Sequence, residues 1–335
     1  MVESVTPDPL AHLTSWHSEW SGSHAVVVGL GATGFAVSDT LRELGAAVTV
    51  VARDAEEDVV NIALVIGASV VVSPDSAMRD AAIRSSGADF AVVSPGVSAD
   101  DPAILALLDL GIPVLSDVDF AWRVRDKYDN APQWIVVAGE RYGSRISDLA
   151  SRILIADGRT TGVAGYQEQP LLDLIRDPVF YEHIIVHASS SSLAWWSGLP
   201  LSPRTPLISV CVEETMQPGS AVLYDGTSLA CVYWRSSGDT ESLVEASEVT
   251  EGARAIGVGV GAPGMSELGL VEGIVCDRAF LDDRKNQALE ISTVEELAEA
   301  GWDLPSELPP LLASIAVARA LDVTPALIAG VISLP

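Results

Sequence analysis

Short apolar runs alternate with helical patterns along most of the chain. Ala25-Val26-Val27-Val28 is brief enough for a strand and continuous enough for one covered on both faces. After Gly34, the residues Val37, Leu41 and Leu44 recur at helical spacing, Gly45 stops the pattern, and 47–51 reads as a second strand. The rhythm continues with a strand at 69–72, a helix near 76–84 and a strand at 89–93. A helix after Pro102 (Ile104, Leu107, Leu108), a strand at Val114-Leu115 and a short helix ending near Arg125 complete the series. Residues 126–132 are polar and turn-rich, which places a domain boundary there.

A second series starts at Trp134. Strands are expected at 134–138, 161–164, 184–187, 207–212, 221–224, 229–234 and 255–260, with a hairpin at 268–276 turning at Glu272-Gly273. Two helices, 311–321 and 325–332, follow, the second with Thr324 as N-cap and Pro325 at its first position. The expected organisation is an N-terminal arm over 1–22, a Rossmann-like parallel-sheet domain over 23–130, and a second α/β domain over 131–335. In the arm, Trp16 and Trp20 are four apart and would dock one helical face; His12, His17 and His24 read as surface residues.

Composition narrows the function classes. A formal charge of −27 argues against nucleic acid or an anionic membrane as principal partner, because both need a basic face. No apolar run reaches bilayer-spanning length, and the N-terminus lacks the basic and apolar regions of a secretion signal, so a cytoplasmic protein is expected. Cys211, Cys231 and Cys276 form neither a disulfide framework nor a metal-ligand spacing. Lys127 and Lys285 are the only two lysines, so any chemistry needing a lysine in a given loop has two candidates.

The strongest candidate site is Gly29-Leu30-Gly31-Ala32-Thr33-Gly34, a G-x-G-x-x-G turn between a strand and a helix. Such a turn lets a phosphate approach the helix N-terminus, where the backbone dipoles favour negative charge. Arg53-Asp54, at the end of the next strand, suits a ribose or base, or simply faces solvent. The second domain opens on a strand, a loop bracketed by Gly139 and Gly143, and a helix from Ser144, the parts of a phosphate-binding P-loop. The lysine is missing, and Ser144-Arg145 stands where a Lys-Ser/Thr pair belongs. His183 and His187 have no intervening glutamate of an H-E-x-x-H site and read as a structural or exposed pair. The serines at 189–192 lack a nucleophile elbow, and Trp195-Trp196 reads as a packing cluster.

On these residues the chain resembles the Mur ligases, most closely the D-glutamate-adding (MurD) type, along nearly its whole length. Val28 to Gly34, Ser94-Pro95-Gly96 and 114–119 look like that family's UDP-binding domain. The resemblance implies that Gly31, Ala32 and Thr33 face a pyrophosphate, and that Arg53, Asp54, Ser94, Pro95 and Gly96 surround a uridine. It also implies a P-loop-like central α/β domain, a reaction using ATP and Mg²⁺, and a UDP-N-acetylmuramoyl precursor as partner.

The departures are systematic. The family's G-T-N-G-K-T/S-T loop corresponds to 139–145 without its lysine, and the magnesium-holding glutamate to His187. The family's N-x-x-x-D-H-L-D segment corresponds to 209–216 without its asparagine and histidine, and the H-N-x-x-N helix start to Ser306-Glu307-Leu308-Pro309-Pro310. The carbamylated lysine and the third domain have no counterpart. Acyl-phosphate formation depends on metal and lysine clamps around the transferring phosphoryl group. The expectation is therefore a degenerate ATP loop (Gly139, Gly143, Ser144, Arg145), no catalytic residue, no metal site and no cofactor, with a binding or regulatory role in cell-wall precursor synthesis. The alternatives are an NAD(P)-dependent oxidoreductase using the glycine turn, with Arg53 meeting a 2′-phosphate, and a scaffold for protein partners that binds no nucleotide.

Overall fold

The computed structural model describes residues 9–128, 130–189, 193, 206–213 and 222–334. Ser190 to Ser192, the Trp195-Trp196 cluster, residues 214–216 of the segment 209–216, and Ala221 lie outside the described residues.

One unit holds the chain up to Ala131 together with Gln169–Val179. Its elements are β1 (His24–Val28), α1 (Ala32–Glu43), β2 (Ala47–Ala52), α2 (Glu57–Val65), β3 (Ser69–Val72) and α3 (Ser76–Ser86). They are followed by β4 (Phe90–Val93), α4 (Pro102–Asp109), β5 (Val114–Ser116) and α5 (Asp117–Arg123). The five strands pair in the order β3-β2-β1-β4-β5, all parallel. Val26, Val28, Val51, Ala91 and Val93 pack with Ile83, Ile104 and Leu107 of the helices in one apolar cluster. Strand order reverses between β1 and β4, and the carboxyl ends of strands flanking such a reversal leave a crevice.

The arm does not form the expected helix. Residues 9–22 run as successive turns, and of the two tryptophans Trp20 is fully buried, meeting Phe90 and Phe120 edge-on at ring-centroid distances of 6.1 and 5.7 Å. Its indole N–H donates to the Ser15 carbonyl at 2.9 Å, while Trp16 stacks under the Lys127 ammonium at 4.4 Å. Arg123 reaches the arm from below, donating to the carbonyls of Leu10 and Leu13. The turns are thus held by side chains from the body, and a helical face is not needed to dock them. His12 and His17 are exposed, but His24 opens β1, half-buried, with its Nε2 at 2.9 Å from Thr49 Oγ1.

The other unit runs from Pro132 to Glu168 and resumes at Phe180. In chain order its series gives β6 (Gln133–Ala138), α6 (Gly143–Ala156), β7 (Thr161–Gly165), then α7 (Leu171–Arg176), which belongs to the first unit, and β8 (His183–Ala188). β9 (Ile208–Cys211), β10 (Ala230–Trp234), α8 (Gly238–Ala246), β11 (Arg254–Val258), β12 (Glu267–Val271), β13 (Ile274–Asp277) and β14 (Leu289–Thr293) come next. The chain closes with α9 (Val294–Glu299), α10 (Leu304–Ala320) and α11 (Pro325–Ile332). The nine strands pair as β14-β13-β12-β11-β10-β9-β6-β8-β7. They are parallel from β7 to β12 and antiparallel through the β12–β13 hairpin and β14.

Three expectations change here. The stretch expected as a strand at 221–224 is turn-like over its described residues; Leu223 and Tyr224 are buried, and the Tyr224 hydroxyl donates to the Val232 carbonyl at 2.9 Å. The apolar run is a plug rather than a ladder strand. α10 begins at Leu304, well before the expected start, and continues through Pro309 and Pro310. β14, α2, α7, α8 and α9 were not anticipated, and α7 packs within the first unit, where Arg176 bridges Asp39 and Glu43 of α1 at 2.6 and 2.9 Å.

Candidate functional site

In the first unit, the eight residues expected around a nucleotide lie together. Gly31, Ala32, Thr33, Arg53, Asp54, Ser94, Pro95 and Gly96 all line one cavity of about 980 Å³. The turn that shapes it depends on two glycines. Gly29 has φ +97°, and a Cβ there would press on the Ser94 side chain. A Cβ on Gly34 would land on the Gly29 carbonyl, so this position admits no side chain. Ser94 Oγ donates to that same carbonyl at 3.4 Å, tying the end of β4 to the turn. Gly31 is the N-cap of α1 and no side chain caps the helix, which leaves its first-turn N–H groups to a ligand or water.

Arg53 and Asp54 are exposed at the mouth of the cavity, beyond the last residue of β2. Three further charged residues line it that sequence reasoning passed over, Glu56, Arg79 and Asp101. Arg79 of α3 is buried, donates to the Ser73 carbonyl at 2.6 Å, and lies 3.8 Å from Asp101 at the start of α4. Nothing in the local pattern distinguishes Arg79 from a solvent-facing helical arginine. Its burial follows from α3 and α4 packing side by side.

In the second unit, the loop from Gly139 to Gly143 leaves β6 at another reversal of strand order, between β8 and β9, and leads into α6. Its shape suits an anion, with backbone N–H groups at a helix start and Gly139 at φ +122°. The anion in place is Glu213. Its Oε1 accepts from the N–H of Arg141 at 3.0 Å and of Tyr142 at 3.2 Å. A Cβ on Gly139 would land on that carboxylate.

The second glycine is filled as well. His187, fully buried at β8, sets its ring against Gly143, where a Cβ would land on Nε2. Nε2–H donates to the Gly139 carbonyl at 2.8 Å, since that oxygen can only accept, and among the described residues Nδ1 has no hydrogen-bond partner. Tyr166 closes over the ring edge-on at 5.4 Å.

The remaining loop residues point elsewhere. Ser144 Oγ donates to Glu168 at 2.7 Å. Arg145 pairs with Glu307 of α10 at 2.9 Å and stacks on the Trp302 ring at 4.8 Å. The N–H groups of Arg141 and Tyr142 are taken by a carboxylate, and the buried imidazole against Gly143 is not the oxygen donor that Mg²⁺ prefers. Among the described residues no group of three or more His, Cys, Asp or Glu is arranged to hold a metal. His183, the other histidine of the pair, is buried on the same face of β8, and burial, then Arg159, pulls its pKa below the ordinary value, against a smaller opposing effect of Glu182.

Residues 23–116 match the family model for the Mur ligase MurD-like N-terminal domain. The UDP-N-acetylmuramoylalanine–D-glutamate ligase of Leifsonia xyli subsp. xyli is 40% identical, over 98% of this chain and 67% of that protein. The ligase of the same name from Tropheryma whipplei is 36% identical over 93% of this chain and 66% of its own. Among solved structures, the UDP-N-acetylmuramate:L-alanyl-gamma-D-glutamyl-meso-diaminopimelate ligase from Neisseria meningitides covers 93% of this chain and 97% of its own, with TM-score 0.50 at 15% identity, a likeness of fold. The chain therefore belongs to the Mur ligase family. Within it, the chain falls with the D-glutamate-adding, MurD-like proteins, and it spans about two thirds of the length of the curated relatives it matches.

Proposed function

We propose that this is a MurD-like protein of peptidoglycan precursor synthesis that binds a UDP-N-acetylmuramoyl precursor in the cavity of its first unit and does not carry out ATP-dependent ligation. The reading places it in the cytoplasm and assigns Gly31, Ala32 and Thr33 to the pyrophosphate, with Arg53, Asp54, Ser94, Pro95 and Gly96 around the uridine. What supports the binding half is the glycine turn, with an uncapped helix start opening onto one large cavity.

The single observation that carries the loss of ligation is a loop without lysine whose Arg141 and Tyr142 N–H groups are taken by Glu213. A carboxylate there repels a triphosphate instead of clamping it, and the loop offers no lysine to offset the charge. Arg145, the nearest replacement in sequence, is committed to Glu307, and a guanidinium held in a fork does not act as a mobile ammonium.

Differential thermal stabilisation tests the reading. UDP-N-acetylmuramoyl-L-alanine at about a hundred times its Kd stabilises by about 2.7 kcal/mol if it binds the native state alone. A clear rise in midpoint with this ligand, and none with NADPH, is expected. A rise with NADPH alone would replace the reading by an oxidoreductase, and no rise with either would leave a scaffold.

A further inference from the structure

We infer that Arg79 reads the base of the ligand in the first unit's cavity. With Asp101 it forms a donor–acceptor pair that takes the carbonyl and ring N–H of uracil and turns away the amine of cytosine. The inference rests on reading that cavity as a nucleotide site, and it gives a task to a buried cation that the glycine turn does not use.

Arg79 is only 4% exposed, yet it lines the cavity, so the little of it that solvent reaches is in the cavity wall. A guanidinium donates through every nitrogen and accepts through none. Nη1 donates to the Ser73 carbonyl at 2.6 Å, which anchors the group. Nη2 stands 3.8 Å from Asp101 Oδ1, an ion pair beyond hydrogen-bond reach. That oxygen is already engaged, accepting the Ala103 N–H at 2.8 Å as the cap of α4. Among the described residues, Ser73 is therefore the one hydrogen-bond acceptor of the Arg79 side chain. Unspent donors on a buried charge are costly, and an acceptor brought by a ligand recovers that cost.

The shape of a nucleotide says which acceptor arrives. The uncapped start of α1 at the glycine turn suits the phosphate end. In a pyrimidine, C4 lies opposite the ring nitrogen that carries the ribose, so a base entering the cavity from that end leads with C4. Uracil has a carbonyl there and an N–H beside it, which complement the Arg79 donors and the Asp101 carboxylate. Cytosine has an amine there and a bare nitrogen beside it, so donor faces donor and lone pair faces carboxylate. The two rings are alike in shape, and shape alone does not choose between them. A site built to hydrogen-bond one group rejects an analogue that leaves its buried polar atoms unpaired.

Calorimetric titration of the protein with UDP and with CDP tests this. The wild type is expected to bind UDP about ten- to a hundredfold tighter, the discrimination that a good base-edge pair provides. Arg79→Met should cut that preference to within about threefold, by weakening UDP while leaving CDP near its wild-type Kd. Arg79→Lys covers the case in which the methionine variant does not fold. It keeps a cation for the Ser73 carbonyl, but a single ammonium does not replace a fork that spans both Ser73 and the base, so its preference should fall too. Equal affinities for UDP and CDP in the wild type would overturn the inference while leaving nucleotide binding in place. A full UDP preference in either variant would overturn it as well. Binding of neither nucleotide would remove the nucleotide site itself, and the inference with it.

Discussion

Gly143 and His187 make the sharpest residue-scale case, because neither has a visible reason in the sequence to need the other. A methyl group on Gly143 would land on a ring that is fully buried and hydrogen-bonded to Gly139, so the ring has nowhere to go. Gly143→Ala should cost about 1–3 kcal/mol in urea unfolding, as overpacked cores do. Adding His187→Ala should return part of that loss, and a strictly additive double mutant would contradict the contact. His183 gives a second test, through pH. Its folded pKa lies below the ordinary 6.5, so the unfolded chain takes up the proton first. Its contribution is intact above pH 6.5 and is lost as pH falls through that value toward the folded pKa. Replacing His183 by Gln should therefore flatten the acid side of the stability profile. A profile as steep as the wild type's would show that another group sets it.

At the scale of elements, legibility followed how local the cause was. The β1 to α1 turn, the hairpin at Glu272-Gly273 and the Thr324 cap of α11 are written in adjacent residues, and each stands where the pattern put it. The arm was misread because Trp16 and Trp20 share a helical spacing but are held by Lys127, Phe90 and Phe120, all distant in sequence. Glu213 was legible only as one residue of a divergent segment; its role depends on β9 pairing with β6, which no local pattern reports. The same holds for Arg319 of α10, whose guanidinium donates to Asp277 of β13 at 2.8 Å and to the carbonyls of Val323 and Phe280. Asp277 is completely buried and also accepts from the N–H groups of Ala279 and Phe280. Removing one partner of such a pair strands the other charge, so Arg319→Met should lower the unfolding free energy by about 3–5 kcal/mol. A loss below 1 kcal/mol in denaturant titration would mean that water reaches Asp277.

On the scale of the whole molecule, all three cysteines, Cys211, Cys231 and Cys276, are buried and free. Burial pushes the Cys211 thiol up to about 12 and the Cys231 thiol to about 11, and raises Cys276 as well. None of the three should react with a thiol reagent at pH 8 until the chain unfolds, since only the thiolate attacks. Rapid labelling of the native protein would contradict that. The two units differ in what lies at their glycine loops. One has a cavity around its glycine turn, and in the other Glu213 and His187 sit against the loop of 139–143.

The most direct test of that difference is a titration of the protein with Mg²⁺ and a non-hydrolysable ATP analogue, followed at the backbone amides of Arg141 and Tyr142. With Glu213 in the cradle, both amide signals should stay in place across the titration. Saturable shifts at both amides would mean that nucleotide phosphate displaces the carboxylate, and the proposed loss of ligation would be wrong.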